Sequence, residues 1–485
     1  MANKKNAFTF FCLYIAQTIP MSFFSTVIPV IMRQENFSLT EIGMLQLIKL
    51  PWILKFLWSP IVDRYSVSVN DYKRWIFSSE LIYAAIIFSV AFLDFNANFH
   101  TILVLIIISF IASATQDIAT DALAALSFSK QDKSVVNSMQ SMGSFGGTLI
   151  GSGLLLLLFR KVGGWGNLLP FLALFVIIAL LPLLFNKKLV IQREKDNLNR
   201  ANWKADILYL LTSSKVTWKR SAFFFLYYGS LIALSTMLRP YLGDRVYNIL
   251  YFTFALLPLF FSFFFMLFSK KKLVVKQKEE ETIKRASWAD IFRFFARKSI
   301  WKQIGFLLLY YIPMIGVLAM LRPYLVDLGY DMKQIGLMSG IVGTASGMLA
   351  SFMAGLVVKK IGRFYSRILF AVFIVFTTFY FYLISLNAQP DILYLYIGII
   401  MLWGNYGMAT VVVYTTAMDC VRAGREGTDF TIQTVLTHAS GIGIAILSGK
   451  IADKLGYSKL FLFEFGLAAL SLIYILTMFR KEKVE

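Results

Sequence analysis

The sequence predicts an all-α membrane protein of fourteen transmembrane helices. Of its 485 residues 58% are hydrophobic and only 15% are charged, where soluble chains run near a quarter charged. Apolar stretches of about twenty residues, enough to cross a bilayer, recur almost end to end. Lys and Arg collect in alternate connections between those stretches.

Spans are expected at 7–32, 40–62, 75–94, 99–126, 134–159, 165–186, 218–242, 247–269, 301–326, 332–358, 364–386, 392–418, 427–450 and 457–479. The first follows MANKKN. It is too long for a cleaved signal and has no small-residue cleavage site, so it reads as a membrane helix. Prolines at 20, 29, 51, 182, 258 and 313 fall inside spans; membrane helices tolerate them where neighbours satisfy the freed backbone groups.

The net charge of +21, from 48 Lys and Arg against 27 Asp and Glu, would point to nucleic acid if it lay on one soluble face. Instead it follows the loops: Lys4 and Lys5, then Arg64, Lys73 and Arg74, then Lys130 and Lys133, then Arg480, Lys481 and Lys483, with the connections Lys187–Arg220 and Lys270–Lys302 the richest. Excess positive charge marks the cytoplasmic side, so both termini are expected in the cytoplasm and the chain in the cytoplasmic (inner) membrane. Arg160, Lys161, Lys450, Lys454 and Lys459 are misfits to this topology. Cys12 and Cys420 offer neither a disulfide framework nor metal-ligand spacing. No phosphate-binding loop or nucleotide fingerprint is present, so neither metal nor cofactor is expected, and energy should come from an ion gradient, with protons favoured.

An internal duplication organises the middle of the chain. Trp218, Tyr227, Tyr228, Arg239, Pro240 and Tyr241 recur as Trp301, Tyr310, Tyr311, Arg322, Pro323 and Tyr324, at a constant offset of 83 residues. A cytoplasmic segment with Trp, Asp and Ile precedes each copy (Trp203, Asp206 and Ile207; Trp288, Asp290 and Ile291), at a spacing that suits amphipathic surface helices. The second copy leads into the small-residue run 334–355, which permits close helix packing, and the first into a bulky, glycine-free helix. The division expected is a six-helix bundle at 1–186, a linker at 187–217, an inserted two-helix unit at 218–269, a linker at 270–300 and a second six-helix bundle at 301–485. The halves echo each other. Asp121 precedes Gly143 and Gly151 by 22 and 30 residues, and Asp419 precedes Gly441 and Gly449 by the same separations.

Three stretches carry a family likeness: LYIAQTIP in the first span, LTEIGMLQLIKLPWILKFLWSPIVDRY across the second, and ATQDIATDA in the fourth. The chain resembles the AmpG and acetyl-CoA transporter branch of the major facilitator superfamily. The resemblance implies two six-helix bundles rocking about a central cavity, and substrates of the kind known in the group: muropeptides, siderophores taken up by RhtX/FptX-type importers, or acetyl-CoA. LRPYLVDLGY (321–330) and TDFTIQ (428–433) have a siderophore-importer flavour. The AmpG pattern at the start of the second half reads LYYIPM here (309–314), without its charged pair.

Ionisable groups inside a bilayer are functional or paired by default. Counted from Thr40 and Thr101, Lys55 and Asp117 lie 15 and 16 residues along their spans, roughly 22 to 24 Å at 1.5 Å per residue. They are expected to pair, with Asp117 as proton carrier. Lys49, Tyr310, Tyr311, Arg322, Asn405, Gln433 and His438 complete the candidate cavity. Trp58, Trp403 and Tyr406 are held open between stacking on a solute ring and core packing. Asp63, Arg64, Lys73 and Arg74, with Asp121 and Asp419, are candidates for a cytoplasmic gate held by ion pairs. Glu80 and Glu464 are read as packing residues or as functional ones. His438 as the base of a membrane acyltransferase would need an acid or Asn partner at helical spacing, which it lacks, so no enzyme is expected. The partners expected are a small muropeptide- or siderophore-like solute, protons and lipid, acting on a single chain. A non-transporting sensor is the alternative of another class.

Overall fold

The computed structural model describes residues 4–29, 32, 48–94, 97–155, 165–186, 189–191 and 286–479. The proposed inserted pair 218–269, the linker 187–217 (apart from residues 189–191), the amphipathic segment at Trp203, and Arg160 and Lys161 lie outside them.

Every regular element among the described residues is helical. In the first half these are α1 (Lys4–Ser22, continuing as a π turn Phe23–Val27), α2 (Leu50–Leu54), α3 (Ser59–Tyr65), α4 (Val69–Val90), α5 (Phe99–Ser127), α6 (Lys133–Thr148, continuing as a π turn Leu149–Leu154), α7 (Trp165–Ala179) and α8 (Leu181–Phe185). A short helix α9 (Ala289–Ala296) precedes the second half, which holds α10 (Ile300–Tyr310), α11 (Ile312–Asp327), α12 (Met332–Ile335), a π segment Gly336–Gly343, α13 (Thr344–Ser385), α14 (Ile392–Asp419) and α15 (Glu426–Met478). α9 is the helix expected after Trp288, and its apolar face is buried against the protein, with Ile291, Phe294 and Phe295 packed beside Phe56 and Ile304.

The segments Lys333–Ser385 and Glu426–Met478 run 53 residues each, about 80 Å at 1.5 Å per residue, against a hydrocarbon core of about 30 Å. Each is therefore two spans. The breaks fall at Gly362 (φ 82°) and Gly456 (φ 81°), a left-handed conformation open to glycine and costly for other residues. The two glycines are 94 residues and three spans apart, so their turns lie on opposite sides of the bilayer, as inverted three-helix repeats require. Lys454 then stands at the position that Lys360 holds in the preceding repeat.

Small residues set the packing of each half. A Cβ on Gly143 would lie 2.6 Å from the Phe11 carbonyl oxygen, and one on Gly147 2.7 Å from Thr18 Cβ, so α6 lies against α1 at backbone distance. In the second half a Cβ on Gly441 would meet Ile315 at 2.8 Å, and Gly449 faces Met320. The glycines matched in the sequence thus face the first span of their own half in both halves, Gly143 and Gly151 against its backbone and Gly441 and Gly449 against its side chains. Side chains such as Phe171, Leu349 and Phe376 are 64%, 68% and 61% exposed, a surface suited to lipid rather than water.

Candidate functional site

The second span is broken by its own sequence, LPWILKFLWSP. Pro51 sits in the first turn of α2 and Pro60 in the first turn of α3. Pro60 has no N–H to give the Phe56 carbonyl; Ser59 Oγ donates to it instead, at 3.1 Å. Between the two helices Lys55–Leu57 tighten into a 3-10 turn, and this turn aims Lys55 into the first half. Lys55 is 2% exposed. Its Nζ forms an ion pair with Asp117 Oδ2 and lies 5.1 Å from the Trp52 ring centre. Gln17 Nε2 donates to Asp117 Oδ1 at 3.1 Å. One helical turn on, Asp121 Oδ1 accepts from Tyr14 Oη at 2.5 Å and from Gln140 Nε2 at 3.0 Å. Two charges removed from water are tolerated when each meets the other and their remaining valences are satisfied.

Asp121 was expected at the gate. The structure places it in this buried network, tied to α1 and α6, because a residue four positions from Asp117 shares its helix face.

The second half contributes a cavity of about 250 Å³ lined by Tyr311, Ile315, Tyr406, Tyr414, Thr437, His438, Gly441, Ile442 and Ala445. Tyr311 and Tyr406 meet edge to face, with ring centres 5.5 Å apart, and the Tyr311 hydroxyl bonds Thr410 Oγ1. Phe145 of the first half stands edge-on to Tyr406 at 5.7 Å and to Trp403 at 6.3 Å. His438 Nδ1 lies 2.7 Å from the Thr434 carbonyl. A carbonyl only accepts, so Nδ1 carries the hydrogen and Nε2 is left as an acceptor. The turn that carries Lys55 packs against α15, the helix that supplies Thr437 and His438, which brings the buried pair and the cavity together.

Six other candidates point elsewhere. Tyr310 is buried against Phe306 and donates to the Arg367 carbonyl at 3.1 Å. Asn405 Nδ2 is spent within its own half, on the Phe373 carbonyl at 3.0 Å and Thr377 Oγ1 at 2.5 Å. Gln433 Nε2 donates to the Ala417 and Asp429 carbonyls at 3.0 and 3.1 Å. Arg322 is exposed near the end of α11, outside the lining of the cavity. Lys49 is exposed just before α2. Trp58 is used by Thr115 Oγ1, to which its Nε1 donates at 3.0 Å. Tyr414 was missed by sequence reasoning, although Tyr406, Thr410 and Tyr414 recur every fourth residue and so share a face.

At one end the halves are tied together. Asp63 turns away from the basic residues beside it. Its Oδ1 accepts from the Gly427 N–H at 2.9 Å, and its Oδ2 from the N–H and Oγ1 of Thr428, both at 2.6 Å. A carboxylate at a helix N-terminus meets unsatisfied donors and the positive end of the helix dipole. Lys133 Nζ donates to the Met418 carbonyl at 2.8 Å and lies 3.5 Å from Asp419, which also pairs with Arg363 at 2.8 Å. Lys359 pairs with Asp132 at 2.7 Å, and Arg363 donates to the Lys130 carbonyl. Lys73 and Arg74 do not cross between the halves. Lys73 donates to the Asn186 carbonyl at 2.8 Å, and Arg74 sits 3.6 Å from Asp71, whose side chain forms a capping box with Ser68. Arg64 is half-buried in the last turn of α3.

Comparison with known proteins agrees with this architecture. The sequence model of the Major Facilitator Superfamily matches residues 7–274 and 241–445. An anhydromuropeptide permease of Escherichia coli (strain K12) is 19% identical over 469 residues, covering 96% of this chain and 78% of that protein. The putative transporter AmpG 4 of Rickettsia conorii is 20% identical over 485 residues, covering 98% and 97%. Among solved structures, the human organic anion transporter MFSD10 superposes with a TM-score of 0.62 at 12% identity, over 98% of this chain and 100% of that one. The proton:xylose symporter XylE, bound to 6-bromo-6-deoxy-D-glucose, gives 0.60 at 10% identity, over 98% and 96%; at such identities the likeness speaks for the fold. This multi-pass, all-helical chain belongs to the major facilitator superfamily and is a solute transporter, not an enzyme.

Proposed function

We propose that the protein is a proton-coupled importer of a bulky polar solute of the anhydromuropeptide type, working as a single chain in the cytoplasmic (inner) membrane with both termini inside. The observation that carries this reading is the buried Lys55–Asp117 pair beside an aromatic cavity. A proton on Asp117 would release Lys55 to hold an anionic group of the solute, so the two fluxes share one site. The rings of Tyr311, Tyr406 and Tyr414 offer stacking faces to a sugar ring. At about 250 Å³ the cavity is below the usual range for a drug-sized ligand, so it takes one ring while the rest of the solute lies between the halves. The gate end, with Asp63, Lys133 and Asp419, is the cytoplasmic one by the distribution of positive charge. Residues 218–269 are read as an inserted two-helix spacer between the bundles 1–186 and 301–485, with 187–217 and 270–300 as linkers.

The likeness to siderophore importers gains nothing from the site. Of the two stretches that carried it, 321–330 and 428–433, the second has Thr428, Asp429 and Gln433 engaged at the gate. Proteoliposomes with an inward proton gradient should accumulate a labelled anhydromuropeptide, and a protonophore should abolish the accumulation. Uptake of a ferric siderophore in its place would favour the other substrate class, and a chain that moves neither solute would be a sensor.

A further inference from the structure

The turn that carries Lys55 is held by α9, a helix outside the expected spans. In an unbroken helix the Ile61 N–H would bond the Leu57 carbonyl; here it bonds the Trp58 carbonyl instead, at 2.9 Å. The Leu57 carbonyl accepts from the indole of Trp288, at the start of α9, at 2.8 Å. The neighbouring Phe56 packs into an apolar cluster with Ile291, Phe294 and Phe295 of α9 and with Ile304 and Ile432 of the second half. Three successive residues of one turn thus have three distinct engagements. Lys55 reaches the ion pair, Phe56 enters the face of α9, and Leu57 offers its carbonyl to Trp288.

α9 is tied to the second half by ion pairs. Asp290 Oδ2 lies 3.0 Å from Arg425 Nε, and the Asp290 carbonyl accepts from Arg422 Nη2 at 2.7 Å. Arg422 is bound in turn to Asp429 at 2.6 Å, one residue from the Thr428 that receives Asp63. We propose that α9 is a latch and Trp288 a positioning residue: together they hold the Lys55–Leu57 turn, so that the Lys55–Asp117 pair and the gate between the halves change state in step. The coupling role of that pair rests on the proposed function; the mechanical link does not.

The native Cys420 reports on the latch, because it is half-buried beside the gate and its carbonyl accepts from Arg297 at 3.1 Å. Maleimide labelling of Cys420 in a Cys12→Ser background should be compared with and without Trp288→Phe. The indole is 61% exposed, so the smaller ring is accommodated while the N–H is lost. Loss of one net hydrogen bond should speed labelling by roughly two- to twelvefold. In a second background, Lys55→Met with Asp117→Leu, the acceleration should shrink to less than half that factor, the non-additivity expected of residues that act through each other. Asp290→Asn, which frees α9 from Arg425, should act in the same direction and stands in if Trp288→Phe does not fold. Equal acceleration in both backgrounds, or none in either, overturns the proposal. The labelling needs no solute and no proton gradient, so it stays readable if the proposed function fails.

Discussion

Lys55→Met alone is expected to strip most of the folded protein from the membrane, while Lys55→Met combined with Asp117→Leu is retained. Removing one member of a buried pair leaves an uncompensated charge, at a cost of about 3–5 kcal/mol, whereas replacing both by apolar groups is often neutral. Against a total stability of about 5–15 kcal/mol the single change is severe. Gln17 still donates to Asp117, so some solvation of the lone carboxylate survives and the loss should fall in the lower part of that range. Solubilised yield and thermal unfolding of the two variants check the expectation. A single variant as stable as the double would mean that water reaches Asp117, and that the pair is not the closed site described above.

Asp63→Asn should flatten the pH dependence of gate opening. Burial pushes the Asp63 carboxyl up to about 7, and the charge of Glu426 adds to the shift, while the hydrogen bonds from Thr428 and Gly427 pull the other way. The Arg422 charge also acts on it. When the halves part, water returns this carboxyl to about 3.9. The closed form therefore binds the proton more tightly. That advantage is complete below about pH 4 and is lost as pH rises through about 7, with an upper bound of roughly 4 kcal/mol. Because maleimide takes the thiolate, each rate is divided by that of the same thiol in unfolded protein at the same pH; so normalised, Cys420 labelling of the wild type should accelerate from pH 5 to pH 8, and in Asp63→Asn it should stay level. Unchanged pH dependence in the variant would assign the titration to another group.

Much of this architecture was legible in the sequence, for physical reasons. Spans are set by the thickness of the bilayer, so the spans expected at 99–126 and 392–418 appear as helices Phe99–Ser127 and Ile392–Asp419. Lys55 and Asp117 could be matched because depth along a helix is a count of residues. Rotation about the helix axis was harder to read. Tyr310 and Tyr311 are adjacent, and only Tyr311 faces the cavity, because a helix turns about 100° per residue. Asn405 and Gln433 could not be assigned because a buried amide takes whatever carbonyl is near, and the nearest were in their own half. The gate was half legible: Asp419 and Lys133 do meet across the halves, but the partner of Asp63 is a helix N-terminus. Backbone donors carry no residue signature.

Protons and solute are proposed to share the Lys55–Asp117 site. That sharing is tested most directly by measuring solute accumulation in proteoliposomes as a function of the imposed pH gradient, for wild type and for Lys55→Met/Asp117→Leu. The wild type should concentrate an anhydromuropeptide in proportion to the gradient. The double variant, folded and inserted, should lose gradient-driven accumulation and at most equilibrate the solute. Accumulation by the double variant that still follows the pH gradient would contradict the account and place proton coupling elsewhere in the chain.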